Sequence, residues 1–143
     1  MDTLSPEDRS KRMAKVRSKN TKPELRTRSC LHRLGFRFRL HVANLTGKPD
    51  ITLPRWQVAI FVHGCFWHRH KGCQYTTTPQ TNSAFWEEKF KSNLERDRRV
   101  IADLVAQGWD VIVVWECQTK TEASLRMALE PLLKKRGKLI EFD

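Results

Sequence analysis

The longest apolar runs of this chain, such as Val58–Val62, are only strand length. A membrane-spanning helix needs about 20 apolar residues, so none is expected. The N-terminus lacks the apolar stretch of a signal peptide, reading Met1-Asp2-Thr3 and then Glu7-Asp8-Arg9. Without an export signal the four cysteines point to a reducing cytosol, where disulfides are not expected. Internal repeats and linker-like stretches are missing too, and 143 residues suit one domain. Acidic residues are scarce: 16 Asp and Glu face 27 Lys and Arg, for a net charge of +11. Hydrophobic residues, at 39%, are still too many for a disordered chain.

The positive charge is uneven. Residues 1–39 carry twelve Lys and Arg against four acids, and so supply +8 of the +11. Such a basic arm reads as a contact to a phosphate backbone or an anionic membrane; the blander reading is a solvated helix face. Ser5-Pro6-Glu7-Asp8 starts a helix expected to reach Arg17, with only Met13 and Val16 as large apolar residues. Thr21-Lys22-Pro23-Glu24 starts a second, expected to end at Leu34 with Gly35 as its stop.

Strands follow. Phe36–Val42 alternates and predicts a half-buried strand. Residues 50–53 and Trp56–Val62, joined through Pro54-Arg55, predict a hairpin. Residues 64–82 predict an irregular loop, long for a small domain unless functional or metal-stapled. A helix is expected over Ser83–Gln107 and a strand buried on both faces over Trp109–Trp115. A last helix over Glu122–Lys135, broken near Pro131, and a short strand over Leu139–Phe142 complete the series. This order predicts an α/β fold, a mixed sheet with helices on its faces.

Within the irregular loop, Cys65, His70 and Cys73 have the spacing Cys-x4-His-x2-Cys, and Cys117 lies just past a strand end. Three thiolates and an imidazole suit tetrahedral zinc in a closed, structural site. The alternative is free cysteines packed as small hydrophobes, which is the reading taken for Cys30.

Asp50 opens a strand after Gly47-Lys48-Pro49, and His63 and His68 flank Gly64-Cys65-Phe66-Trp67. A carboxylate can hold Mg2+ with a backbone carbonyl, phosphate oxygens and waters. One imidazole can take a proton from attacking water while another donates to a phosphate oxygen. Proximity of Asp50 to the histidines depends on strand register. Asp97 falls on the apolar stripe Trp86, Phe90, Leu94, Ile101, Leu104. A buried acid there pairs with an arginine, orients a histidine, or faces a metal's water shell. Glu24 is a capping-box residue first and a metal-water contact second. Phe66 and Trp67 either pack on the loop or act as wedges entering a base step. His32 and His41 receive no role.

Several runs resemble one family, the very-short-patch mismatch repair endonucleases. They are Arg9-Ser10-Lys11-Arg12-Met13, Gly47-Lys48-Pro49-Asp50, Phe61-Val62-His63-Gly64-Cys65-Phe66-Trp67-His68, Phe85-Trp86, Asn93 with Glu95-Arg96-Asp97-Arg98-Arg99, and Val113-Val114-Trp115-Glu116-Cys117. The resemblance spans residues 9–117 and implies a restriction-endonuclease-like fold with a structural zinc. It implies Mg2+-dependent nicking 5′ of the thymine in T:G mismatches left by deaminated 5-methylcytosine. By resemblance, Asp50 and the main-chain carbonyl of Val62 hold Mg2+. His68 activates water, His63 assists at the phosphate, and Glu24 and Asp97 support the metal waters or a histidine. Met13, Phe66, Trp67 and Trp86 form the wedge, and Cys65, His70, Cys73 and Cys117 hold Zn2+.

Three departures stand out. Val62 replaces a threonine, Lys71-Gly72 carries a one-residue insertion, and Phe61-Val62-His63 lies where restriction enzymes carry an acidic-x-lysine motif. The expected organisation is a DNA-contacting arm over residues 1–20 and one endonuclease domain over 21–143. The expected protein is a monomer acting on mismatched duplex DNA in the cytoplasm, nucleoid-associated, away from membranes, with mismatch-repair proteins as candidate partners. A nuclease without mismatch selectivity and a non-catalytic zinc-stabilised DNA-binding module are the alternatives.

Overall fold

The computed structural model describes residues 20–142, with side chains to residue 137. The expected arm helix, and Met13 with it, lies outside the described residues. Helix α1, Lys22–Arg33, is capped by Thr21, whose side-chain oxygen accepts from the Glu24 N–H. Gly35 ends it at φ +84°, a left-handed conformation that suits a residue without Cβ.

Four strands form one mixed sheet in the order β1-β2-β3-β4. Strands β1 (Arg39–Leu40), β2 (Ile51–Leu53) and β3 (Val58–His63) pair antiparallel in succession, and β4 (Asp110–Trp115) pairs parallel with β3. The expected hairpin is therefore present. The strand expected over Phe36–Val42 shrinks to two residues. Its partner β2 is only three long, and His41 turns out of the pleat at φ +48°.

Helix α2, Ser83–Ala106, crosses from the loop to β4. A 3-10 turn, Glu116–Lys120, leads to helices α3 (Glu122–Ala128) and α4 (Glu130–Phe142). The break falls at Leu129, and Pro131 sits in the first turn of α4, where a missing N–H costs little. Residues 139–142 are helical rather than the expected strand. Extending a formed helix adds one hydrogen bond per residue fixed, whereas a new strand must first find an edge. Among the described residues, no helix is long and apolar enough to cross a membrane.

The pleat of β3 divides the molecule. Val58 and Ile60 enter a large core with Leu31 of α1, Ile51 and Leu53 of β2, Ile112 and Val114 of β4, Leu125 of α3, and Leu129 and Leu132. Ala59 and Phe61 face the other way, toward Leu104 of α2, with Val100, Trp109 and Val111 half-buried beside them. Strand β4 is thus fully buried on one face only, correcting the expectation of two. Helix α2 covers the first half of the second face and leaves the end near His63 open.

Candidate active site and metal cluster

Asp50 arrives through a tight turn. Gly47 holds φ +74°, and a Cβ there would lie 2.2 Å from the Val100 Cγ1 of α2. Only glycine lets the Gly47-Lys48-Pro49 segment run this close to the helix. The β2–β3 register pairs Ile51 with Ile60, so Asp50 reaches the end of β3, and its Oδ2 accepts from the Val62 N–H at 2.7 Å. Burial raises the Asp50 carboxyl above its ordinary pKa, as does the nearby Glu24, against the lowering effect of the Val62 N–H. A carboxylate in this position gains from a cation.

His63 ends β3 on the open face, and His68 stacks on it with ring centroids 3.8 Å apart and planes within 6°. His68 Nδ1 pairs with Asp97 Oδ2 of α2 at 2.6 Å. Of the partners open to Asp97 in the sequence, the structure thus realises the histidine. Burial, together with His68, lowers the His63 pKa to about 4, so His63 is neutral near pH 7. Two stacked imidazoles disfavour a second charge, and the Asp97 carboxylate sits against only one of them.

Glu24 lies on the far side of Asp50. Its Oε2 accepts from the Asn20 N–H at 2.8 Å, not from the Thr21 N–H of a regular capping box. Its Oε1 accepts from Arg28 Nη2 at 2.7 Å and pairs with His41 Nε2 at 2.6 Å. Burial pushes its pKa upward, but these hydrogen bonds outweigh it and hold the carboxyl below its ordinary value. One donor atom each from Glu24, His41 and Asp50 falls within 4.8 Å of the others. Glu24 and Asp50, with Val62, His63, His68 and Asp97, line one cleft of about 840 Å3, and His41 stands behind them.

Behind His63 a second cluster gathers Cys65, His70, Cys73 and Cys117, whose ligand atoms all lie within 4.8 Å of one another. Lys71-Gly72 forms a turn that absorbs the extra residue without dispersing the set. Burial pushes the Cys65 thiol up to about 12 and raises Cys117; Cys73 is lowered, against its own desolvation, by the Tyr75 N–H and the other thiols. Three thiols this close cannot all ionise alone, so the donor set fits a metal ion. Trp115 joins the clusters: its ring stacks on His70 at 4.2 Å and meets His63 edge-on at 5.3 Å.

At the cleft mouth Phe66, Trp67 and Trp86 lie 5.1–5.9 Å apart, and Phe66 and Trp86 also touch Phe90. All three are half-buried, and the Asn93 side chain donates to the Trp67 carbonyl at 3.2 Å.

Residues 1–74, just over half the chain, match the family described as DNA mismatch endonuclease Vsr. The chain belongs to the Vsr family. The type II nicking enzyme V.XorIIP of Xanthomonas oryzae pv. oryzae is 48% identical over 134 residues, 91% of this chain and 98% of its own. V.NmeAIP, a type II nicking enzyme of Neisseria meningitidis serogroup A, is 41% identical over 133 residues, covering 93% and 94%. The DNA mismatch endonuclease Vsr of Escherichia coli K12 is 39% identical over 140 residues, covering 94% and 89%.

As a Vsr-family member the chain is a DNA endonuclease. Every cleft residue singled out in the sequence is brought together, and Trp86 joins the aromatic pair. Sequence reasoning missed His41, Arg28 and Trp115. The signal for His41 was the β1–β2 pairing: Leu40 opposite Ile51 sets His41 beside Asp50, and its N–H donates to the Asp50 carbonyl at 3.2 Å.

Proposed function

We propose that the chain nicks double-stranded DNA 5′ of the thymine in a T:G mismatch, leaving a 5′-phosphate and a 3′-hydroxyl. The observation that carries this reading is the meeting of Asp50 with the His63–His68–Asp97 set in one cleft, beside an aromatic mouth. Asp97 occupies His68 Nδ1, which leaves His68 Nε2 to accept a proton from the attacking water. The imidazolium that forms is stabilised by the Asp97 carboxylate. His63, neutral and stacked alongside, donates a ring N–H to a phosphate oxygen. Water attacks phosphorus, and the bond to the 3′-oxygen breaks.

The Asp50 carboxylate and the Val62 carbonyl would hold Mg2+, which when bound supplies positive charge to the reacting phosphate. The three-cysteine, one-histidine set fits Zn2+. His70 Nδ1 lies 3.7 Å from the Cys65 sulfur and 3.4 Å from that of Cys117. Tetrahedral zinc places S and N about 3.5 Å apart. A zinc here would hold the loop bearing Phe66, Trp67 and His68 against β4. Phe66 and Trp67, backed by Trp86 and with Met13 of the basic arm, would wedge into the weakly stacked mismatch. Residues 1–20 would then track phosphates while residues 21–143 carry the chemistry. A monomer acting on nucleoid DNA in the cytoplasm accords with this reading.

The test is a nicking assay on duplexes that differ only in T:G against C:G, with Mg2+ or EDTA. Mg2+-dependent cutting of the T-strand alone is expected. Equal cutting of both duplexes indicates a nuclease without mismatch selectivity, and binding without cutting indicates a DNA-binding module.

A further inference from the structure

Glu24, His41 and Asp50 look at first like three ligands of one metal ion. The hydrogen bonds on Glu24 argue otherwise. A carboxylate offers about four lone-pair positions, two on each oxygen. Arg28 and His41 take both positions on Oε1, and the Asn20 N–H takes one on Oε2. His41 Nε2 must be the donor, because an ionised carboxylate has no proton to give. Glu24 thus keeps a single free position, on Oε2, and its charge is already matched by the Arg28 guanidinium. Asp50 differs: the Val62 N–H takes one position on Oδ2, and among the described residues it has no ion-pair partner.

We propose that Arg28 and His41 are positioning residues of the hydrolytic site, which lock Glu24 so that its one remaining lone pair accepts from a water held at Asp50. The inference rests on the reading of Asp50 as the cation ligand and deepens it. It adds a physical cause for the roles that the resemblance implies for two carboxylates less than 5 Å apart: the lock holds Glu24 back to orient water and leaves Asp50 to bind the cation directly. The lock is rigid for local reasons. Arg28 stands one helical turn after Glu24 on α1, and its Nη2 is itself held by Asn20 Oδ1 at 2.6 Å. His41 is held at φ +48° with its N–H donating to the Asp50 carbonyl, so the donor is tied by a backbone hydrogen bond to the cation ligand's own residue.

The test uses zinc-loaded protein bound to an already nicked T:G duplex, with Mn2+ as the probe and its binding followed by electron paramagnetic resonance. His41→Ala and Arg28→Met should each weaken Mn2+ binding by about 10–100-fold, the usual cost of losing a group that orients a metal's surroundings. In turnover, kcat should fall while KM for the duplex stays put. His41→Gln, which keeps an amide donor near the same reach, should restore most of both. In a Glu24→Gln background, His41→Ala should cost little more, because the two residues act as a unit.

Full Mn2+ affinity and full kcat in His41→Ala and Arg28→Met overturn the inference. So does an undiminished His41→Ala loss in the Glu24→Gln background, since His41 would then act through something else. If His41→Ala fails to fold, His41→Asn, whose shorter amide falls short of Glu24, carries the same comparison with His41→Gln. Asp50→Asn separates the two levels. Loss of Mn2+ there, with none in the His41 and Arg28 variants, sinks only the positioning role; retained Mn2+ in Asp50→Asn sinks the reading of Asp50 and the inference with it.

Discussion

The two faces of the sheet are built for different ends. On one, α1, α3 and α4 close over β2, β3 and β4, and residues such as Leu31, Ile60, Leu129 and Leu132 are wholly buried. On the other, among the described residues, α2 is the helix that covers the strands, and the buried hydrophobic cluster there is small: Ala59, Phe61 and Leu104. Beyond the reach of that helix the same face opens into the cleft, and there β3 presents His63 where a hydrophobic residue would continue the pleat. Burying a large aliphatic side chain contributes about 1.5–3 kcal/mol. The packed face therefore supplies most of the folding energy. The thin face can then hold Asp50, with a raised pKa, and His63, with a lowered one, both costly to a fold and useful to a hydrolase.

The largest effect expected from separating the faces comes from Asp50→Asn. Removing the proposed cation ligand should lower nicking on the order of 1,000-fold or more, several kcal/mol of transition-state stabilisation. Stability should move the other way. A carboxyl whose folded pKa is raised favours the folded state below its unfolded pKa, and that contribution is lost as pH rises through the folded value. At pH 7 the ionised Asp50 is therefore a burden, and Asp50→Asn should melt no lower than wild type in the absence of divalent cations. A variant that melts clearly lower would mean that Asp50 is a structural acid.

The opposite face answers in the opposite currency. Leu132→Ala should destabilise the protein by about 2–5 kcal/mol through the lost burial and the cavity left behind. Nicking per folded molecule should hold constant, because Leu132 is separated from the cleft by the sheet. Urea melts and an active-site titration measure the two quantities independently. A drop in specific activity as large as that of Asp50→Asn would show that the faces are not separable.

The difference between the faces also governs what the sequence could reveal. Capping residues and Gly35 marked α1, two short apolar runs about Pro54-Arg55 marked the β2–β3 hairpin, and a regular apolar repeat marked the stripe of α2 that carries Asp97. Cys65, His70, Cys73 and Cys117 were readable from spacing and donor type. What escaped was set by register and by backbone turns without hydrophobic period. His41 gains its place only when β1 pairs with β2. Arg28 was within reach of sequence, as the i+4 partner of Glu24 on α1, but an i,i+4 ion pair alone does not mark a site. Trp115 read as the end of a buried strand, yet it lies between the two histidine-bearing clusters, stacked on His70 and edge-on to His63. The tail strand failed for a related reason: a segment of four residues, Leu139–Phe142, is too short for its pattern to tell the end of a helix from a new strand.

Acid should expose the strain on the thin face. His63 has a pKa of about 4 when folded and about 6.5 when unfolded, so below pH 6.5 the unfolded chain takes up the proton and the folded one does not. Stability is complete above that range and falls as pH drops toward 4, by an amount on the order of 3 kcal/mol. His63→Gln removes this loss and leaves the titratable groups away from the stacked His68 as they are in wild type. The difference between their urea midpoints should therefore change in favour of the variant from pH 7 to pH 4.5. Parallel curves would mean that His63 is not desolvated by the Trp115 and His68 rings.

The smallest effect belongs to the aromatic mouth. Trp67 is half-buried against Phe66 and Trp86, so it serves either as packing for the loop or as a wedge. Stacking of an aromatic on a base is worth about 1–3 kcal/mol. If Trp67 enters the step beside the mismatch, Trp67→Ala should reduce the ratio of T:G to C:G cutting by about tenfold while the protein still folds. The ratio, rather than the rate, is the decisive reading, because a loop merely loosened would carry His68 away from both duplexes equally. An unchanged ratio with a lowered melting temperature would return Trp67 to the role of core, and would extend the packed character of the first face into the mouth of the second.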